Sequence, residues 1–326
     1  MNGRIERRDF LSGLVLCLSW RPTEAVAQAS SRTFRIGDLH PARRETVRGW
    51  EGELGKLGYV QGRNLVIERR DAGGQPDRLP ALATELVRAR VDLIVATGGD
   101  AIVAAKGATS TIPIVMAYGA APVERGYVTS LARPGGNITG VAYAAEGTLI
   151  PKRLELLTQA VPAARRIGIP DDGSDQFRLV LREAETVARR LDVQLVTVDA
   201  RRGQYAQAFA DLKAKQADAF YAGSSPIHYQ DRRELVALAA RYRLPAIWEW
   251  RTHAEAGGLL SYGAKVAELE ARIAVFIDRI LKGANPAELP VEQPTVFELV
   301  VNRKTARALG LTIPPAVLVR ADHVID

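Results

Sequence analysis

Short apolar runs and stretches with apolar residues three or four apart take turns along the chain. The first kind reads as buried strand and the second as amphipathic helix. Residues 34–39 form a strand. Residues 45–57 form a helix with Val47, Trp50, Leu54 and Leu57 on one face and Gly58 as its stop. Residues 65–68 are a strand and 78–90 a helix, with Leu79, Leu82, Ala83, Leu86 and Val87 at helical spacing. Residues 92–97 and 113–118 read as apolar, buried strands. The alternation continues as helix 176–191, strand 193–198, helix 205–215, strand 219–223, helix 231–242 and strand 246–250. One more amphipathic helix, 268–281, precedes an extended, proline-punctuated stretch at 289–301 and a short helix at 302–309. Strands alternating with helices predict an α/β fold with parallel, doubly wound sheets.

The pattern also repeats. Arg35-Ile36-Gly37 recurs as Arg166-Ile167-Gly168, and the segment from Asp92 to Gly99 has an echo from Asp218 to Ser225. Ile112-Pro113-Ile114-Val115 is echoed by Leu244-Pro245-Ala246-Ile247, and Gly135-Gly136-Asn137-Ile138-Thr139-Gly140 by Gly257-Gly258-Leu259-Leu260-Ser261-Tyr262. The echoes keep the same order and nearly constant spacing. Two copies of one α/β unit predict two similar lobes with a ligand cleft between them. The expected division is 33–140 plus 264–290 for lobe 1 and 144–256 plus 302–320 for lobe 2. The chain then crosses between lobes near 138–143, 257–263 and 291–301, which makes a three-strand hinge.

Composition changes this picture little, except at the N-terminus. At 326 residues, 47% hydrophobic and 25% charged, the chain has the size for two domains and the balance of a globular protein. Arg4, Arg7 and Arg8 precede an apolar stretch from Leu11 to Trp20, too short to span a bilayer, and then Ala25-Val26-Ala27. Residues 1–27 therefore read as a signal peptide, with Ala27-Gln28-Ala29 as a second cleavage candidate. Arg7-Arg8-Asp9-Phe10-Leu11 resembles the twin-arginine export signal, so the expected location is the periplasm. Cys17, the single cysteine, lies inside this leader. The rest of the chain cannot form a disulfide. The formal charge of +7 is dispersed, without a basic run or a nucleic-acid motif, and argues against nucleic-acid binding.

Ligands of open α/β sheets bind beyond the carboxyl ends of the strands. That rule points to Asp38 and His40 after the first strand, to Thr97-Gly98-Gly99, and to Tyr118 and Gly119 in the first lobe. In the second lobe it points to Asp171, Ser224 and the stretch Trp248-Glu249-Trp250. Thr97-Gly98-Gly99 opens a helix, so its N–H groups either cradle a carboxylate or simply complete the turn. Alternation sets Trp248 and Trp250 on one side of their strand, as a stacking wall or as core. Glu249 points the other way, to pair with Arg251 or to hold a ligand amine. Tyr262, on the returning crossover, is a further wall candidate. Dinucleotide, P-loop and nucleophile-elbow motifs are absent, and His40, His228, His253 and His323 lack metal-ligand spacing. No catalytic group, metal or cofactor is expected.

Several segments carry a resemblance. They are Leu57-Gly58-Tyr59-Val60-Gln61-Gly62-Arg63-Asn64, Asp77-Arg78-Leu79-Pro80-Ala81-Leu82-Ala83, and the run from Ser130 through Arg133-Pro134-Gly135-Gly136-Asn137-Ile138-Thr139-Gly140 to Val141. The tail adds Leu289-Pro290-Val291-Glu292-Gln293-Pro294-Thr295, Asn302-Arg303-Lys304-Thr305-Ala306 and Leu309-Gly310-Leu311-Thr312-Ile313-Pro314-Pro315. Over nearly all of the chain beyond the leader, this is similar to the TrpX-like group of ABC-transporter solute-binding proteins. The resemblance implies a type I periplasmic-binding fold with two Rossmann-like lobes and three hinge strands, and capture of a small solute, aromatic or carboxylate-bearing, for an inner-membrane ABC permease. The chain departs from the group at Ala120-Ala121-Pro122-Val123, where the group reads Gly-Asp-Pro-Val, and in a shorter loop at Leu39-His40-Pro41-Ala42. The acid missing there is a missing partner for a ligand ammonium. The rival expectation is an extracytoplasmic sensor whose closed form docks on a signalling receptor.

Overall fold

The computed structural model describes residues 32–42, 49–143, 149–223 and 225–326. The leader with Arg7-Arg8, the first part of the expected 45–57 helix and Ser224 lie outside the described residues. The first half of the chain runs β1 (Phe34–His40), α1 (Trp50–Lys56), β2 (Leu65–Asp71), α2 (Leu79–Arg88), β3 (Leu93–Thr97), α3 (Gly98–Ala108), β4 (Ile114–Gly119) and β5 (Ile138–Ala142). It continues through α4 (Leu149–Ala160), β6 (Arg166–Asp171), α5 (Asp175–Leu191), β7 (Gln194–Asp199), α6 (Tyr205–Ala214), β8 (Ala219–Tyr221), α7 (Pro226–Gln230), α8 (Arg232–Arg241), β9 (Ala246–Trp248) and α9 (Arg251–Glu255). The remainder is β10 (Leu260–Ala264), α10 (Val266–Leu281), β11 (Phe297–Asn302), α11 (Arg303–Leu309), α12 (Pro315–Leu318) and β12 (His323–Ile325).

These strands form two sheets, ordered β2-β1-β3-β4-β5 and β7-β6-β8-β9-β10-β11-β12. The first five strands of the second sheet repeat the order of the first. Every pairing is parallel except β10 with β11, which is antiparallel. Each sheet is buried on both faces. In the first, Leu93 and Val95 face α1 and α10, while Ile94 and Ala96 face α2 and α3. In the second, Ala219, Tyr221 and Ile247 face α4 and α5, while Phe220, Ala246 and Trp248 face α6 and α8. Burial on both faces explains why the strands read as continuous apolar runs.

The sequence echoes have a physical cause. The Asp92 carboxylate accepts the Arg35 N–H at the start of β1, at 2.7 Å. Asp218 accepts the Arg165 and Arg166 N–H groups at the start of β6, at 2.9 and 3.0 Å. Gly37 and Gly168 leave room for a leucine of the covering helix. A β-carbon there would stand 3.1 Å from Leu86 and 2.5 Å from Leu212. Each copy thus uses an aspartate to anchor its first strand and a glycine to let a helix lie close.

The chain passes between the sheets after β5, after β10 and before β11. α4 packs its Leu154, Leu156 and Leu157 on the second sheet. α10 returns to the first sheet and buries Leu269, Ile273, Phe276 and Ile277 there. Glu292 then pairs beside β5, its N–H donating to Gly140 and its carbonyl accepting from Ala142, before β11 joins the second sheet. Gly140 sits at this seam with φ +130°, and a β-carbon on it would stand 2.4 Å from the Met116 carbonyl oxygen. Only glycine fits that position. Helix α4 had no counterpart in the periodicity reading. Its Pro151 falls in the first turn, where a missing N–H costs nothing. Among the described residues no helix is long and apolar enough to cross a membrane.

Candidate ligand-binding site

A cavity of about 730 Å3 lies between the two sheets. That is within the usual size of a small-molecule site. Carboxyl ends of strands and the loops after them reach it from both sides. His40 ends β1 and Pro41 follows it, Thr97 ends β3, and Tyr118 belongs to β4. Asp172 and Ser174 follow β6, Ser225 and Pro226 follow β8, and Glu249 and Trp250 follow β9. Trp50 of α1 and Glu270 of α10 complete the first side, and Tyr229 and Gln230 of α7 the second.

Seven of the residues expected from sequence line this cavity: His40, Thr97, Gly98, Gly99, Tyr118, Glu249 and Trp250. Five others do not line it. Asp38 is fully buried within β1. Gly119 is pressed against Met116 and Ile102 on the far side of the sheet. Asp171 turns to the loop and accepts the Gly173 N–H, leaving the adjacent Asp172 to face the cavity. Tyr262 lies flat against Phe297, with ring centroids 6.0 Å apart. Trp248 is fully buried against Phe220 and stacked on His253, 5.2 Å between centroids and 15° between planes. Of the two tryptophans expected as a wall, Trp250 lines the cavity and Trp248 does not. β9 ends at Trp248, and Trp250 already caps α9. Strand alternation does not carry past the last strand residue. Glu249 does not pair with Arg251 either, which binds Glu255 at 2.7 Å.

Trp250 is the centre of an aromatic cluster. Tyr118, Tyr143 and Tyr229 meet it edge to face, with centroids 6.0, 5.8 and 6.5 Å away. Edge-to-face contacts of this kind fix ring orientation. Tyr118 reaches the cavity because its backbone is exceptional. Its φ is +62°, and the β4–β5 register shifts between Ala117 and Gly119. A bulge of this sort re-aims a side chain, and strain in a non-glycine residue gathers at functional sites. Ala121, two residues beyond Gly119, is also left-handed, at φ +43°.

The Tyr118 hydroxyl donates to Glu270, and so does the Trp50 backbone N–H. Gly49 makes room for that carboxylate, since a β-carbon there would stand 2.7 Å from its carboxyl carbon. On the other side Arg153 of α4 is completely buried, with Nε donating to the Tyr262 carbonyl at 2.6 Å and its guanidinium 5.7 Å from the Tyr143 ring centre. Glu249, 3% exposed, supplies the opposing charge. Burial holds the Tyr143 hydroxyl well above its ordinary pKa, with Glu249 adding to the rise and Arg153 opposing it. His253 below Trp250 is pushed down to about 3 by burial, so it is neutral. The helix α3 begins at the cavity, and its N-cap Thr97 makes no side-chain bond to the first turn. Its first N–H groups carry the positive end of the helix dipole toward the cavity. Arg232 adds a cation on the opposite wall, 5.0 Å over the Tyr229 ring.

Sequence reasoning missed Trp50, Tyr143, Tyr229, Gln230 and Glu270. Trp50 reads as one more apolar position of a helix face, and Tyr143 as part of a crossover. Tyr229 and Gln230 follow the expected Ser224 by only a few residues, so extending that reading by one turn would have found them. Glu270 carries no local signal, because it reaches the site from a helix that returns from the other sheet.

The model of one family, ABC transporter substrate binding protein, matches residues 39–325. The chain belongs to this family. Its members bind solutes and are not enzymes. A tyrosine-binding protein of Clostridioides difficile is 26% identical over 274 residues, 83% of this chain and 78% of that protein. A conserved domain protein from Vibrio cholerae superposes with a TM-score of 0.82 at 25% identity, over 90% of this chain and 100% of the other. An ABC domain from Streptococcus pneumoniae in complex with L-Trp superposes with a TM-score of 0.80 at 25% identity, again over 90% of this chain and 100% of the other. The family member described here has the two-lobed, type I periplasmic-binding architecture of such proteins.

Proposed function

We propose that this substrate-binding protein captures an aromatic amino acid between its lobes outside the cytoplasm and delivers it to an inner-membrane ABC permease. The observation that carries the reading is the Trp250 cluster, with Tyr118, Tyr143 and Tyr229 around it, beside the open N-terminus of α3. The lobes are taken as 33–140 plus 264–290 and 144–256 plus 302–320. The rings accept the ligand's ring by stacking. The α3 N–H groups accept its carboxylate. Glu270 accepts its ammonium. The acid missing from the Ala120-Ala121 turn thus has a counterpart on α10, held in place by Trp50 and Tyr118. The relatives that bind tyrosine and L-Trp support this ligand class. Calorimetric titration of the purified protein with L-tryptophan, L-tyrosine, L-phenylalanine, L-leucine and L-glutamate tests it. At least one aromatic amino acid is expected to bind with micromolar or tighter affinity and the other two classes at least ~100-fold more weakly, on the order of 3 kcal/mol of discrimination. Equal or tighter binding of leucine or glutamate rejects the reading.

A further inference from the structure

We propose that Gln230 makes the cavity selective for an aromatic ring that carries a hydroxyl group, an inference that rests on the aromatic amino-acid reading above. Gln230 is the last residue of α7 and lines the cavity. Both ends of its carboxamide, Oε1 and Nε2, are shut off from water and have no hydrogen-bond partner. Buried carboxamides are nearly always paired, and one left unpaired at both ends is a standing cost to the folded protein. The polar groups next to it in the chain are already engaged. Asp231 takes the Arg202 guanidinium and the Tyr205 hydroxyl, each at 2.8 Å, and Arg232 donates to the Tyr229 carbonyl at 3.1 Å. The missing partner therefore comes from the ligand.

The chemistry of that partner follows from the pair of atoms. Oε1 needs a donor and Nε2 an acceptor. A carboxylate only accepts and an ammonium only donates, whereas a hydroxyl does both. Position separates the ring end of the ligand from its amino-acid end. The start of α3 meets the start of α7, where a β-carbon on Gly98 would stand 3.0 Å from Cγ of Pro226. Gln230 lies four residues further along α7, about 6 Å at the rise of an α-helix. A carboxylate seated at the α3 N-terminus leaves the distal edge of the ring to face Gln230. A change from one staggered rotamer to another about the inner side-chain torsions turns the carboxamide from the wall to the ligand. A bare ring leaves the amide unpaired and gains nothing from it. A hydroxylated ring relieves it, and sites of this kind reject the analogue that lacks the hydroxyl.

Titration of the wild-type protein and of Gln230→Met with L-tyrosine and with L-phenylalanine tests this. Methionine keeps the length of the side chain and removes its polar atoms. The wild type is expected to bind tyrosine at least ~10-fold more tightly than phenylalanine. The variant is expected to bring the two within about threefold of each other, through weaker tyrosine binding alone. Without ligand, the variant should melt at or above the wild-type temperature, because an unpaired amide has been replaced by apolar atoms. A wild type that binds both amino acids alike overturns the inference and leaves the amino-acid reading standing. Binding of neither overturns the inference, and rejects the amino-acid reading as well if L-tryptophan also fails to bind. An unchanged ratio in the variant, or a lower melting temperature without ligand, makes Gln230 a structural residue and also overturns the proposal.

Discussion

Two tryptophans separated by one residue have different work here. Trp248 fills the core between β8, β9 and the helices beneath them, fully buried beside Phe220 and His253. Trp250 presents its ring to the cavity and organises three tyrosines around it. Their alanine variants should separate accordingly. Trp250→Ala is expected to weaken aromatic-ligand binding by roughly 1–3 kcal/mol, about ten- to a hundredfold, with a modest loss of thermal stability. Trp248→Ala should destabilise the fold by about 3–5 kcal/mol through a large internal cavity, and affect binding only through that loss. Titration and thermal melting of both variants check this. A Trp250→Ala protein that binds normally would falsify the stacking role and return the ring to the core.

At the scale of elements, the two halves use one local design with different residues around it. β1 and β6 begin at a backbone held by an aspartate from the loop before β3 and β8. Asp92 accepts the Arg35 N–H, and Asp218 those of Arg165 and Arg166. Asp92→Ala and Asp218→Ala should each lower stability, by about 1–2 kcal/mol. Chemical denaturation of both variants measures it. An unaffected Asp218→Ala protein would show that the anchor is ornamental. The same elements show how far periodicity reaches. Helices 79–88, 175–191, 205–214 and 232–241 fall where apolar spacing sets them, within a few residues. β8 and β9 are shorter than their apolar runs, because the chain turns toward the cavity before the runs end. The runs continue past the strands since loop residues such as Trp250 are buried too.

For the whole molecule, the described residues hold the lobes against each other around the cavity. The Arg202 guanidinium, fixed by Asp231, reaches the Gly73 carbonyl at 3.4 Å, and Pro226 meets Gly98. Trp250 also meets Tyr118 across the cleft, and the proposed ligand would touch both walls. The ligand therefore supplies the differential affinity that favours closure. Small-angle scattering should show a smaller radius of gyration with a saturating aromatic amino acid than without. An unchanged radius at saturation rejects ligand-driven closure.

The sequence by itself determined the α/β class, the internal repeat and the family. Apolar periodicity, paired echoes and the run Arg133-Pro134-Gly135-Gly136-Asn137-Ile138-Thr139-Gly140 are all properties of neighbouring residues. It also located seven residues of the cavity wall, since strand ends in such sheets are fixed by strand order. Tertiary structure alone decided the rest. Glu270 reaches the cavity because α10 crosses back to the first sheet, and Arg153 is balanced by Glu249 from an element nearly a hundred residues away in sequence. Which tryptophan lines the cavity depended on where β9 ends. These are facts about which surfaces meet, and residues far apart in a chain carry no local mark of their eventual neighbours.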